Sequence, residues 1–329
     1  MRYFITGGAG FIGSHLCDRL IADGHEVHVY DNLSTGRLDN VRHLSDRPQF
    51  DITVGDILDI GRMRELVHRC DRIVHLAAAV GVRLVMEKPV ETITTNVGGT
   101  EVILKLASER DIPVLIASTS EVYGKLMDTE DGLTSLSEDS DWRLGPTSKR
   151  RWAYACSKAM DEFLALAYSA EKQLPVICAR FFNTVGPRQS GEYGMVIPRF
   201  VQRAMLDEPI VVYGDGTQTR CFNHVHDAVD GIVRLLNEPR AYGEVFNIAN
   251  TNEISIGDLA QRIRQLAGSS SDVHFVPFSE VFAHGFEDMQ RRTPNLAKIR
   301  GLTGYDPKHS IDDIILSVID YFKHNSVPI

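Results

Sequence analysis

Three observations predict an α/β protein with a doubly wound parallel sheet and a smaller, intertwined C-terminal lobe. Short apolar runs alternate with longer amphipathic ones, glycines cluster straight after the first run, and the rhythm changes after residue 182. The first half supplies candidate strands at Tyr3–Thr6, Glu26–Tyr30, Phe50–Val54, Arg72–Leu76, Val114–Ser118 and Pro175–Phe181. Between them, apolar residues recur at helical spacing over Phe11–Ala22, Gly61–His68, Val90–Glu109 and Trp152–Lys172. Strands that alternate with helices imply parallel pairing, because a parallel crossover needs a dozen or more residues. Past residue 182 the loops lengthen and gain Gly and Pro. A strand is expected at Val245–Ala249, with helices near Val196–Leu206, Asp227–Leu236, Ile256–Leu266 and Ile311–Lys323. No flexible linker separates the halves, so residues 1–182, with returning segments at about 220–250, read as one domain and 183–329 mainly as the lobe.

The composition narrows the class. The chain has 329 residues, 43% hydrophobic and 24% charged, enough for two domains or one large unit with a lobe. It carries 35 basic against 44 acidic residues, net −9, which argues against nucleic-acid and anionic-membrane partners. No apolar run reaches the ~20 residues that span a bilayer. The N-terminus reads as a buried strand entering a glycine loop, unlike a secretory signal. Five scattered cysteines (Cys17, Cys70, Cys156, Cys178, Cys221) lack metal-ligand spacing and read as reduced thiols, so a cytoplasmic location is expected.

The first βα junction, Thr6-Gly7-Gly8-Ala9-Gly10-Phe11-Ile12-Gly13, places Gly7, Gly10 and Gly13 where a dinucleotide pyrophosphate would need them. One glycine permits the tight turn, one the approach of backbone amides, and one the close packing of helix on strand. The N–H groups around Phe11 and Ile12 then face the phosphates at a helix N-terminus. The second strand ends at Tyr30-Asp31, followed by Asn32, where a carboxylate accepts from the adenosine ribose hydroxyls and repels a 2′-phosphate. That predicts a Rossmann-type site for NAD, although Arg37 nearby keeps NADP open. Asp56-Ile57 follows another strand, and Asp56 reads equally as an adenine ligand or a plain loop acid.

Tyr154 and Lys158 are i and i+4 on one predicted helix, so they share a face. A neighbouring ammonium and a positive nicotinamide ring would lower the tyrosine pKa from about 10 toward neutrality. A tyrosinate can take the proton of a sugar hydroxyl as its carbon gives up hydride. Thr119, at a predicted strand end, can hold the same hydroxyl. The bland alternative is an interface tyrosine and a solvated lysine; the glycine loop and Thr119 weigh against it.

These motifs, with His75-Leu76-Ala77-Ala78, Asn96, Ser118-Thr119-Ser120-Glu121-Val122-Tyr123-Gly124, Arg180-Phe181-Phe182-Asn183 and Val212-Tyr213-Gly214-Asp215-Gly216, resemble the extended short-chain dehydrogenases that act on nucleotide sugars. The resemblance covers nearly the whole chain. It implies NAD contacts at Leu76, Ala77, Ala78 and Asn96 besides Tyr154 and Lys158. The branch nearest in pattern is the UDP-glucuronate decarboxylases: position 120 is Ser120, where dehydratases carry an aspartic acid, and position 121 is Glu121, where simple 4-epimerases carry a small or hydroxylated residue. Thr119, Ser120, Glu121, Tyr154, Lys158 and Arg292 are then the catalytic set, with decarboxylation of UDP-glucuronate expected. A 4-epimerase is the alternative and a 4,6-dehydratase a more distant one. Arg292 lies in Gln290-Arg291-Arg292-Thr293-Pro294, which matches a carboxylate-holding segment. The preceding Gly285-Phe286-Glu287-Asp288-Met289 departs from the pattern, which leaves open a solvated pair in which Arg291 and Arg292 answer Glu287 and Asp288. The insertion around Asp141-Trp142-Arg143-Leu144-Gly145-Pro146 is expected to cover the sugar. Asn183, Arg188, Tyr213 and Arg220 are candidates for the nucleotide-sugar. His224 and His226 have no third ligand pattern, so no metal is expected. Non-catalytic readings, an NAD-holding sensor or a structural dimer, fit poorly with an intact Tyr154 and Lys158. Met160, Phe163, Leu164 and Ala167 give the Tyr154 helix surplus apolar surface, and with the helix around Val97–Leu106 the resemblance implies a homodimer.

Overall fold

The structure, a computed structural model, describes residues 1–130, 132–191, 195–281 and 289–325. Six strands follow the expected order: β1 (Arg2–Thr6), β2 (Glu26–Asp31), β3 (Phe50–Val54), β4 (Arg72–His75), β5 (Val114–Thr119) and β6 (Val176–Phe181). The strand expected at Val245–Ala249, within the returning segments, is observed at Glu244–Ile248 and pairs in parallel with β6 of the main sheet. From that edge the order is Glu244–Ile248, β6, β5, β4, β1, β2, β3, with every neighbouring pair parallel.

Period-two alternation accounts for the near-continuous apolar character of these strands. Tyr3 and Ile5 of β1, Val74 of β4, Leu115 of β5 and Ile177 of β6 enter one core layer, beneath the helices Phe11–Ala22 and Val225–Leu236. Phe4, Ile73, Val114, Ile116, Val176 and Cys178 enter the other, beneath Ile60–Val67, Pro89–Ser108 and Trp152–Lys172. Both sheet faces are covered, as an all-parallel sheet requires.

A third core belongs to the lobe, where Ile197, Phe200 and Val201 of helix Val196–Met205 meet Leu259 and Ile263 of helix Ile256–Ala267 and Ile314, Ile315 and Val318 of helix Ile311–His324. The chain leaves the sheet after β6, builds part of this lobe, returns for Val225–Leu236 and Glu244–Ile248, and leaves again. The lobe is therefore intertwined with the sheet. Strand order reverses between β1 and β4, which opens a crevice at their carboxyl ends, where open α/β sheets bind ligands. Among the described residues no helix is long and apolar enough to cross a membrane.

Candidate active site

The glycine loop lies at the end of β1, at this crevice. Gly7 has φ +72°, and a Cβ there would stand 2.7 Å from the Ala77 nitrogen. A Cβ on Gly13 would stand 2.2 Å from the Gly7 carbonyl oxygen, so helix and loop meet at a distance that only glycine allows. Gly10 precedes the first residue of helix Phe11–Ala22, and Phe11 and Ile12 form its half-buried first turn. Asp31 ends β2, buried. Its carboxylate accepts from the Ala9 N–H at 3.0 Å and the Leu33 N–H at 2.8 Å. Burial pushes its pKa up, and the two amides pull against that. Asp31 thus braces the glycine loop as well as ending the strand. Asn32 is exposed and caps its own turn through the Ser34 N–H. Asp56 is exposed, its side chain accepting from Leu58 N–H, while Ile57 is buried against Gly99.

Leu76, Ala77 and Ala78 are half-buried after β4, and the Ala77 N–H donates to Thr6 Oγ1 at 3.3 Å. Asn96 is fully buried. It accepts from the Ala79 N–H at 2.8 Å and donates to Ser157 Oγ at 3.1 Å, joining that loop to the helix Trp152–Lys172.

At the end of β5, the Thr119 hydroxyl hydrogen-bonds the Tyr154 oxygen and accepts from the Glu121 N–H at 3.2 Å. Tyr154 and Lys158 share one face of helix Trp152–Lys172, as the spacing predicts. The expected fall in the tyrosine pKa is drawn for a site that also holds the positive nicotinamide ring; the side chains by themselves act the other way. Burial first, then the Glu121 and Asp161 carboxylates, push Tyr154 well above 10, and Thr119 alone opposes them. The Lys158 ammonium is itself engaged, 2.6 Å from Asp161.

Glu121 is the hub of the site. Arg292 Nη1 lies 2.6 Å from its Oε1 and Arg151 Nη2 lies 3.4 Å from its Oε2. Burial disfavours the carboxylate, but Arg292, Arg151 and Arg220 together outweigh it and pull its pKa down to about 2. Arg292 also donates to Ser120 Oγ at 3.2 Å. Three guanidinium groups therefore face one glutamate beside the Thr119–Tyr154 pair. Arg151 escaped the sequence reading; its signal was its position three residues before Tyr154, one helical turn away.

Arg292 is held there by distant chain. The Leu136 N–H donates to Thr293 O and the Asn295 N–H to Leu136 O, each at 2.8 Å, while the Thr219 N–H donates to Gln290 O at 2.9 Å. The insertion thus ties down the arginine segment, and Met289, Trp152, Ala155 and Leu144 pack beneath it. Arg291 pairs with Glu253 at 2.8 Å. The solvated-pair alternative named Glu287 and Asp288, which lie outside the described residues; Arg292 is buried against Glu121 instead.

Among the other candidates, Asn183 donates to Cys221 O at 2.9 Å, and Arg188 forms an ion pair with Asp18 at 2.8 Å. Tyr213 lies under the Arg199 guanidinium at 4.2 Å, and Arg220 is buried, donating to Gln290 O. His224 and His226 acquire a third neighbour, His309, with ring nitrogens within 4.8 Å. His224 Nδ1 accepts the His226 N–H at 3.1 Å, so the neutral ring carries its proton on Nε2, toward Ser317 Oγ. Its ring also stacks on His309 at 4.1 Å and 19°. Neutral His224 has no free lone pair for a metal.

A glycine-cradled crevice, a strand-end threonine and a Tyr-x-x-x-Lys helix define a nucleotide-sugar-modifying dehydrogenase of the extended short-chain class. The chain belongs to the family described as GDP-mannose 4,6 dehydratase, matched over residues 4–318. It is 43% identical over 323 residues to a UDP-N-acetyl-alpha-D-glucosaminuronate decarboxylase of Bacillus cytotoxicus, covering 98% of each chain. It is 37% identical to UDP-glucuronic acid decarboxylase 1 of Xenopus tropicalis, over 98% of this chain and 72% of that one. Among solved structures, the UDP-glucuronic acid 4-epimerase of Bacillus cereus, in complex with UDP-glucuronic acid and NAD, matches with a TM-score of 0.86 and 29% identity, covering 98% and 99% of the chains.

Proposed function

We propose that the chain carries out NAD-dependent decarboxylation of UDP-glucuronate by way of oxidation at C4, giving UDP-4-keto-pentose and/or UDP-xylose. The observation that carries this reading is the buried Arg292–Glu121 pair, with Arg151 and Arg220 around it and Ser120 at its edge. A sugar carboxylate entering there finds guanidinium groups already oriented, the geometry that suits bidentate recognition. Held as a carboxylate to about pH 2, Glu121 is a poor proton donor, and Ser120 is no acid. Elimination of water therefore lacks its acid. Breaking the bond to carbon dioxide needs none: a ketone at C4 makes the uronate a β-keto acid, the C5–carboxylate bonding pair passes into the ketone as an enolate, and the enolate then takes a proton at C5 from water to give the 4-keto-pentose.

The cradle of Gly7 and Gly13, with Asp31 behind it, fits NAD, which when bound supplies the hydride acceptor. Gly7, Gly10, Gly13, Phe11 and Ile12 would hold the pyrophosphate, Asp31 and Asn32 the ribose, and Asp56 and Ile57 the adenine. Leu76, Ala77, Ala78, Asn96 and Lys158 would flank the nicotinamide end. Tyr154 accepts the C4 hydroxyl proton while Thr119 orients that hydroxyl. Asn183, Arg188, Tyr213 and Arg220 are assigned to the nucleotide-sugar.

A homodimer is part of the proposal. Val90, Ile93, Met160 and Phe163 are exposed at 77%, 45%, 50% and 60% on two helices that pack together, apolar surface that a second copy could cover. Five unpaired cysteines support a cytoplasmic setting.

Mass spectrometry of products from UDP-glucuronate and UDP-N-acetylglucosaminuronate, with NAD present, tests the reaction. Loss of carbon dioxide is expected from at least one of them. A product of unchanged mass would favour the 4-epimerase reading, which the Bacillus cereus structure also supports.

A further inference from the structure

Asp161 lies one turn beyond Lys158 and was not singled out by any motif. Its Oδ2 stands 2.6 Å from Lys158 Nζ, and the two side chains are 0% and 3% exposed. Exposed helix pairs at this spacing are common and weak, but a carboxylate sealed from water persists only where its partner answers its charge. Thr100, from the adjacent helix Pro89–Ser108, faces the same carboxylate, and Glu162 is its neighbour on the helix.

The other groups around the couple carry little variable charge. His75 of β4 faces Lys158 and is held neutral, its pKa pushed down to about 3 by burial and by that ammonium. The Cys178 thiol of β6 is pushed up by burial. Arg180 of β6 is committed to Glu162 at 2.8 Å. On the far side of Tyr154, Glu121 is balanced by Arg292, Arg151 and Arg220. Of the charges that bear on the Tyr154 oxygen, the Glu121 carboxylate first and then that of Asp161 oppose a phenolate.

We propose that Asp161 is a positioning residue for the Tyr154–Lys158 couple: its carboxylate anchors the Lys158 ammonium and offsets that ammonium's field at the phenol. Lys158 by itself then leaves Tyr154 protonated, and the phenolate belongs to the state in which a positively charged cofactor lies alongside. The inference rests on Tyr154 being the base of the proposed reaction.

The phenolate absorption of Tyr154 in the near ultraviolet reads this directly, as the difference between each protein and its Tyr154→Phe counterpart, titrated with NAD bound. Asp161→Asn is expected to lower the midpoint by about one pH unit, the effect of removing a nearby like charge. Asp161→Ser, a smaller side chain, is expected to do the same, and Asp161→Glu to keep the parent midpoint. The acid limb of NADH formation from UDP-glucuronate should move with the midpoint. A midpoint that stays or rises in the uncharged variants overturns the proposal. So does a shift in Asp161→Glu as large as in Asp161→Asn, or the lack of any Tyr154 phenolate in parent and variants alike. A parent that forms Tyr154 phenolate with NAD but converts no uronate would sink the functional reading while leaving the titration interpretable.

Discussion

Three arginines on one glutamate make the site's charges separable by mutation. Tyr154→Phe removes the base and should abolish NADH formation with any substrate, by about two to four powers of ten, with NAD binding intact. Arg292→Ala acts later, on the carboxylate-bearing end of the sugar. It should lose more carbon dioxide release than C4 oxidation, so stopped-flow absorbance would show NADH forming without matching product. Equal loss of both steps would assign Arg292 to substrate binding in general. Because Glu121 titrates near pH 2, no acid limb from it is expected in the release step above about pH 4. Most of these residues could be read from motif spacing, since Thr119 ends a strand and Tyr154 and Lys158 share a helical face. Asp161 could not, because an aspartate on an amphipathic helix looks like any solvated charge until its surroundings are known.

At the scale of elements, the β2 terminus should set cofactor preference. Asp31 is expected to favour NAD over NADP, and Asp31→Ala to narrow the gap, measured as the ratio of dissociation constants. The same substitution removes the acceptor for the Ala9 and Leu33 amides, so some loss of NAD affinity accompanies the change. A second element prediction concerns the helix Val225–Leu236, whose N-cap is His224. Burial, followed by the neighbouring His309, His226 and His15 rings, pushes the His224 pKa down to about 3, and burial first among its causes lowers His15 to about 4. The unfolded chain, with histidine near 6.5, binds these protons first. Stability is therefore fully present above about pH 6.5 and is lost as pH falls toward the folded values. His224→Asn keeps a good cap and removes one of the titrating rings. It should flatten the decline between about pH 7 and pH 5 by at most about 2 kcal/mol in denaturant titrations. An unchanged slope would count against the buried-histidine account.

For the whole molecule, sedimentation is expected to show a dimer at micromolar concentration, and Phe163→Glu to shift it toward monomer. In the helix around Val97–Leu106, Ile103, Leu104 and Leu106 are core, and the exposed large apolar residues, Val90 and Ile93, lie in its first two turns. Leu164 likewise packs toward the core, leaving Met160 and Phe163 outside. A monomer would count against the homodimer.

The amino-acid sequence by itself determined the parallel sheet, the glycine cradle and the pairing of Tyr154 with Lys158. Each depends on local periodicity: two residues per strand repeat, 3.6 per helical turn, and a turn that only glycine can make. Tertiary structure decided what those periods cannot carry. It fixed the place of the returning strand Glu244–Ile248, at the sheet edge beside β6 and under the helix Val225–Leu236. It brought Arg292 to Glu121 across 171 residues through the ties at Leu136 and Thr219. It also set carboxylates on both sides of the couple, Glu121 beside Tyr154 and a buried Asp161 against Lys158, which spacing alone does not show. Spacing puts side chains on a common face, but the sign of the field there is a sum over every charge the fold encloses.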